Sequence, residues 1–119
     1  MKPDEIAATI IDLRVEGNNP MESYRGNAQI YPASVVKMFY MAALHQQLED
    51  GKIKLTPEMK RGLDNMVVES GNESTGYMLD VLTGTTSGPE MLEDEFNKWA
   101  YKRNAVNRYF KSLGYSNIS

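Results

Sequence analysis

Tyr31-Pro32-Ala33-Ser34-Val35-Val36-Lys37-Met38 marks the point where the chain changes character. Ahead of it the apolar runs are short and β-branched; beyond it apolar residues recur at helical spacing. Residues 34–49 carry apolar side chains at 35, 38, 41, 42, 44 and 48, and Gly51 ends that helix. Thr56-Pro57-Glu58 reads as an N-cap, a first-turn proline and a first-turn acid, opening a helix to about residue 69. A third helix is expected over about 73–82, stopped by Thr83-Gly84. Ser87-Gly88-Pro89-Glu90 opens another, which continues to Leu113-Gly114 with a break near Arg103-Asn104. The stretch 84–88 reads as a mobile loop.

Upstream, residues 6–13 (IAATIIDL) read as a strand, and Gly17-Asn18-Asn19-Pro20 as a turn. Residues 23–25 and 29–31 read as a second strand, interrupted near Gly26-Asn27. The first strand is apolar on both faces, with Ile6, Ala8 and Ile10 on one and Ala7, Ile11 and Leu13 on the other. Such a strand is expected in a covered sheet. The fold class is therefore α+β, in one domain: an N-terminal β-hairpin over 1–31 and a mainly helical part over 32–119.

Composition narrows the function. The chain has 119 residues, 41% hydrophobic and 24% charged, which suits one globular domain. A net charge of −3 argues against a nucleic-acid-binding surface. With no cysteine there is neither a disulfide nor a thiolate zinc site. No apolar run approaches ~18 residues, so no membrane span is expected. The start, Met1-Lys2-Pro3-Asp4-Glu5, lacks the apolar core of a signal peptide.

Ser34 and Lys37 are three apart at a helix start, hence neighbours on one face. The unpaired N–H groups there would let the Ser34 N–H donate to a developing oxyanion. A neutral Lys37 amine can accept the Ser34 hydroxyl proton, as general-base catalysis requires. A plain serine cap beside a solvated lysine is the competing reading. Ser70-Gly71-Asn72 falls between the second and third helices. Ser70 could pass a proton to a leaving group and Asn72 could hydrogen-bond a substrate amide. Here too a plainer reading stands: Gly71 as a C-cap and Asn72 as the next N-cap.

Taken in order, these motifs resemble the first half of the catalytic domain of the class A-type serine β-lactamases, within the penicillin-binding superfamily. Tyr31-Pro32-Ala33-Ser34-Val35-Val36-Lys37 resembles the family's S-x-x-K motif, and Ser70-Gly71-Asn72-Glu73-Ser74-Thr75 its S-D-N motif. Residues 6–31 match its two N-terminal strands, and Tyr109-Phe110-Lys111-Ser112-Leu113-Gly114 the segment leading to its omega loop. The resemblance implies β-lactam hydrolysis through an acyl-serine. Ser34 is then the nucleophile, Lys37 its base, Ser70 the proton shuttle and Asn72 the substrate anchor. No metal and no cofactor are implied. The substrate would be a small β-lactam or a peptidoglycan-like molecule, and the compartment periplasmic or extracellular. A D-Ala-D-Ala peptidase or a β-lactamase-fold glutaminase shares this chemistry. A non-catalytic helical interaction module, with both motifs as caps, is the alternative of another class.

Gly71 stands where the family has aspartate, and the interval from Ser34 to Ser70 is shorter than in the common secreted enzymes. The sequence holds no K-T-G and no counterpart of the omega-loop glutamate. The expectation is a partial fold that hydrolyses no β-lactam at a useful rate, since one lost oxyanion donor alone costs ~10²–10³. Self-association through an exposed sheet edge is expected as well.

The remaining candidates read as structural. His45 lies ~16 Å along the helix from Ser34, out of reach of it. Glu90, Glu93, Asp94 and Glu95 suit the first turns of a helix better than a metal site. Trp99, Tyr101, Tyr109, Phe110 and the eight methionines are expected in the core. Lys98, Lys102, Arg103, Arg108 and Lys111 are interspersed with the aromatics Trp99, Tyr101, Tyr109 and Phe110, and nucleic-acid binding is not expected there.

Overall fold

Residues 2–14, 17 and 19–118 are described by a computed structural model. They divide into two units, Met1–Tyr31 and Pro32–Ser119. The chain is of mixed α and β structure, with two strands and five α-helices among the described residues.

In the first unit, β1 (Ala8–Ile11) pairs antiparallel with β2 (Met21–Tyr24), Ala8 opposite Tyr24 and Ile11 opposite Met21. β1 is shorter than its pattern predicts; β2 begins two residues earlier than expected and ends at Tyr24, and residues 29–31 lie outside the sheet. The reason is local. Arg25 takes φ +53 and turns the chain directly after Tyr24. Gly26 then lies against the hydrogen-bonded hydroxyls of Thr9 and Ser23, 3.0 Å apart; a Cβ on Gly26 would fall 2.0 Å from Ser23 Oγ. The Arg25 guanidinium donates to the carbonyls of Asp4 and Ile6, tying the residues before β1 to the end of β2. Of the expected turn, Gly17 has φ +82, and Asn18 lies outside the described residues. The Arg14 guanidinium chelates Asp12 and holds its carboxyl below the usual range. The expectation of a covered sheet is not met, because every residue of both strands is exposed. Among the described residues the sheet has only these two strands, so each keeps one unpaired edge.

The second unit is helical: α1 (Val36–Glu49), α2 (Pro57–Val68), α3 (Asn72–Thr83), α4 (Glu93–Arg103) and α5 (Ala105–Ser112). Thr56 caps α2 as its type predicts, its hydroxyl accepting from the Met59 N–H at 3.1 Å. Gly84 ends α3 in the left-handed conformation, φ +60. The last helical stretch begins three residues later than its polar start suggests and breaks at Asn104.

Packing follows the apolar stripes. Leu44, Met66 and Met78 are fully buried, one each from α1, α2 and α3, so these helices share one core. Val106 and Phe110 bring α5 onto it. Phe110 meets Phe39 edge-on at 5.1 Å, and also Tyr109 and Tyr115. On α4, Arg103 pairs with Asp80, donates to the buried Thr85 hydroxyl at 2.9 Å and lies over the Trp99 ring. Two core expectations need correcting. Tyr101 is exposed and stacks under the Arg108 guanidinium, and Met21 and Met38 are exposed. No helix among the described residues is long and apolar enough to cross a membrane.

Candidate active site

The entry to α1 is bent. Ala33 takes φ +47, a left-handed conformation that costs a non-glycine residue roughly 1–2 kcal/mol. A 3-10 turn, Ala33–Val35, follows, so Ser34 precedes the α-helix by two residues instead of opening it. The capping alternative for Ser34 therefore fails. Its hydroxyl bonds no backbone N–H; its partners are Lys37 Nζ at 3.3 Å and Ser70 Oγ at 3.1 Å.

Lys37 sits in the first turn of α1 and is 7% exposed, while Ser34 is exposed. Burial of such a long side chain demands hydrogen-bond partners, and the α2–α3 link supplies them. Lys37 Nζ donates to Ser70 Oγ at 2.9 Å, to Asn72 Oδ1 at 3.0 Å and to the Ser70 carbonyl. Including Ser34, four oxygens surround one nitrogen. Lys37 forms no ion pair with any described residue. The solvated lysine of the plainer reading is thus corrected.

The cap reading of Ser70-Gly71-Asn72 needs correction too. Glu69 is the C-cap of α2, Ser70 is the residue with positive φ (+55), and Gly71 is the N-cap of α3. Glycine is the residue best suited to φ > 0, yet a serine stands there. Its hydroxyl and carbonyl both point to Lys37. Asn72 lies in the first turn of α3; its Oδ1 is taken by Lys37, and its Nδ2 has no hydrogen-bond partner among the described residues.

Asn65 explains why glycine occupies position 71. Its side-chain oxygen accepts from Ser74 Oγ at 2.8 Å, and its backbone carbonyl accepts from the N–H groups of Glu69 and Gly71. A Cβ at Gly71 would fall 1.9 Å from Asn65 Oδ1. The spacing of the serine motifs did not point to Asn65; a glycine between two polar residues was the available signal. Gly71→Ala is expected to displace the Asn65 carboxamide, break its bond to Ser74 and cost about 1–3 kcal/mol. Chemical denaturation of the variant checks this.

The structure thus brings all four residues singled out from the sequence, Ser34, Lys37, Ser70 and Asn72, into one cluster. His45 is exposed on α1 and takes no part. Among the described residues no group of three or more His, Cys, Asp or Glu is placed to hold a metal ion. Comparison of the chain with protein-family models, curated proteins and solved structures gives no match.

Proposed function

We propose that this chain carries the nucleophile, base and proton shuttle of a β-lactamase-like serine hydrolase, acting on an amide such as a β-lactam through an acyl-serine. One observation carries the reading. Ser34 Oγ, Lys37 Nζ and Ser70 Oγ form a closed triangle with sides of 3.3, 2.9 and 3.1 Å, built from segments 33 or more residues apart. Hydroxyl hydrogens rotate, so a proton can travel round this triangle in either sense. The chain's α+β composition, a hairpin and then helices in chain order, is what a partial β-lactamase/transpeptidase-like fold would also have.

The chemistry runs from these atoms. Lys37 Nζ takes the Ser34 hydroxyl proton as Ser34 Oγ bonds to the carbonyl carbon. The first-turn N–H of Ser34 donates to the oxyanion. As the C–N bond breaks, the proton passes from Lys37 through Ser70 Oγ to the leaving nitrogen. Asn72 Nδ2 donates to the amide carbonyl of the substrate side chain. Release of the acyl group by water would need a further base, so the acyl-serine is expected to persist. The expected result is a covalent adduct with fluorescent penicillin, seen by gel and intact mass, and lost in Ser34→Ala. Equal labelling of the variant, or none of either protein, would remove the assignment.

A further inference from the structure

Beside the triangle, a pocket of about 130 Å³ opens at Ser34, Lys37 and Ser70 and is otherwise walled by Met38, Met41, Met66 and Val67. Its walls come from the two elements that hold the reactive atoms. Met38 and Met41 are one and four residues past Lys37 on α1; Val67 and Met66 are three and four before Ser70 at the end of α2. The pocket is therefore fixed in place relative to Ser34 Oγ.

We infer that this pocket receives a short, unbranched apolar chain on the acyl side of the substrate, about four to six carbons long. The inference rests on Ser34 being the nucleophile proposed above. Three features support it. First, size: a dry apolar cavity of roughly 150 Å³ takes one benzene ring. Second, lining: apart from the triangle, no polar side chain among the described residues lines the space, so a charged or hydroxylated chain would lose its hydration without compensation. Lys37, the one charged type present, is already surrounded by four oxygens. Third, shape: three flexible methionines reshape around a linear chain more readily than branched side chains do. Met66, 1% exposed, sets the depth. The acyl donor is then an ester or amide of a short aliphatic acid. In the ester case Ser34 Oγ bonds to the carbonyl carbon, the carbon–oxygen bond to the leaving group breaks, and the Ser34 proton ends on the leaving oxygen through Lys37 and Ser70.

The test uses the whole chain and two readouts. The first is the p-nitrophenol burst from p-nitrophenyl acetate, butyrate, hexanoate and decanoate, less that of Ser34→Ala. The burst rate is expected to rise roughly fourfold per added methylene up to hexanoate and to fall at decanoate. Val67→Trp, at a half-exposed position, is expected to flatten that rise. The second is titration with butyramide of protein carrying ¹³C-methyl methionine. The methyls of Met38, Met41 and Met66 are expected to shift, and those of Met59, Met78 and Met91 to stay. A Ser34-dependent burst that ignores chain length, or silent pocket methyls, would overturn the inference and leave the nucleophile standing. Absence of any Ser34-dependent burst would instead remove the nucleophile, and with it the acyl assignment, even if the methyls moved.

Discussion

Lys37→Met will slow formation of the Ser34 adduct by about 10²–10⁴, the usual worth of a general base, and leave the melting temperature within a few degrees of the parent. The two halves of this expectation separate a catalytic lysine from a structural one. Methionine matches the length of the lysine stem and suits its buried course. The oxygens left behind belong to Ser34, Ser70 and Asn72, which are exposed, so water can replace the amine. Arginine in Lys37→Arg stays protonated and has no acceptor site, so it cannot take the Ser34 proton and is expected not to restore the rate. Stopped-flow labelling with fluorescent penicillin and a thermal melt on each variant check this. A collapse of stability in Lys37→Met, with adduct formation lost only in proportion, would make the lysine a packing residue.

The second large effect is on stability. Phe110→Ala is expected to cost about 3–5 kcal/mol, a large share of the roughly 5–15 kcal/mol that holds a domain folded. Phe110 is 8% exposed and meets three aromatic rings, Phe39 on α1, Tyr109 on α5 and Tyr115 beyond it. Removing the ring leaves a cavity and unseats a helix of only eight residues, too short to persist without tertiary packing. Phe110→Leu retains much of the volume and is expected to cost less. Denaturant midpoints measure the difference, and hydrogen exchange is expected to rise first in α5. A cost below 1 kcal/mol for the alanine variant would mean that α5 is not held by this cluster.

The helical order was legible because its signals are local. Thr56, Pro57 and Glu58 act within one turn, and the cap they imply is present. Residues 34 and 37 are close on any helical turn, α or 3-10, so their juxtaposition survived a wrong expectation of where the helix begins. What the sequence could not convey depends on partners brought from elsewhere. The positive φ of Ala33 and Ser70 is unfavourable for both residue types and holds only within the surrounding fold. Gly71 read as a C-cap, whereas it is the N-cap of α3 and Asn65 fills the space beside it. The strand over 6–13 was over-read because β-branched composition sets a propensity, while the turn at Arg25 and Gly26 sets the length. The methionines were assigned as a group to the core, yet Met38 is 59% exposed at the mouth of the pocket.

The short links between α1, α2 and α3 bear on the order of folding. The four clustered residues fall between positions 34 and 72, on the turn before α1, on α1, in the α2–α3 link and at the start of α3, and these three helices pack on one another. Bringing ends together costs entropy that grows with the intervening length, and chains rich in local contacts fold within microseconds to milliseconds. Nothing in the triangle waits for α4 or α5. Ser34, Lys37 and Ser70 are therefore expected to meet early, before the last third of the chain docks. Mutations in α4 and α5 would then mostly speed unfolding, and those in the α2–α3 link would mostly slow folding.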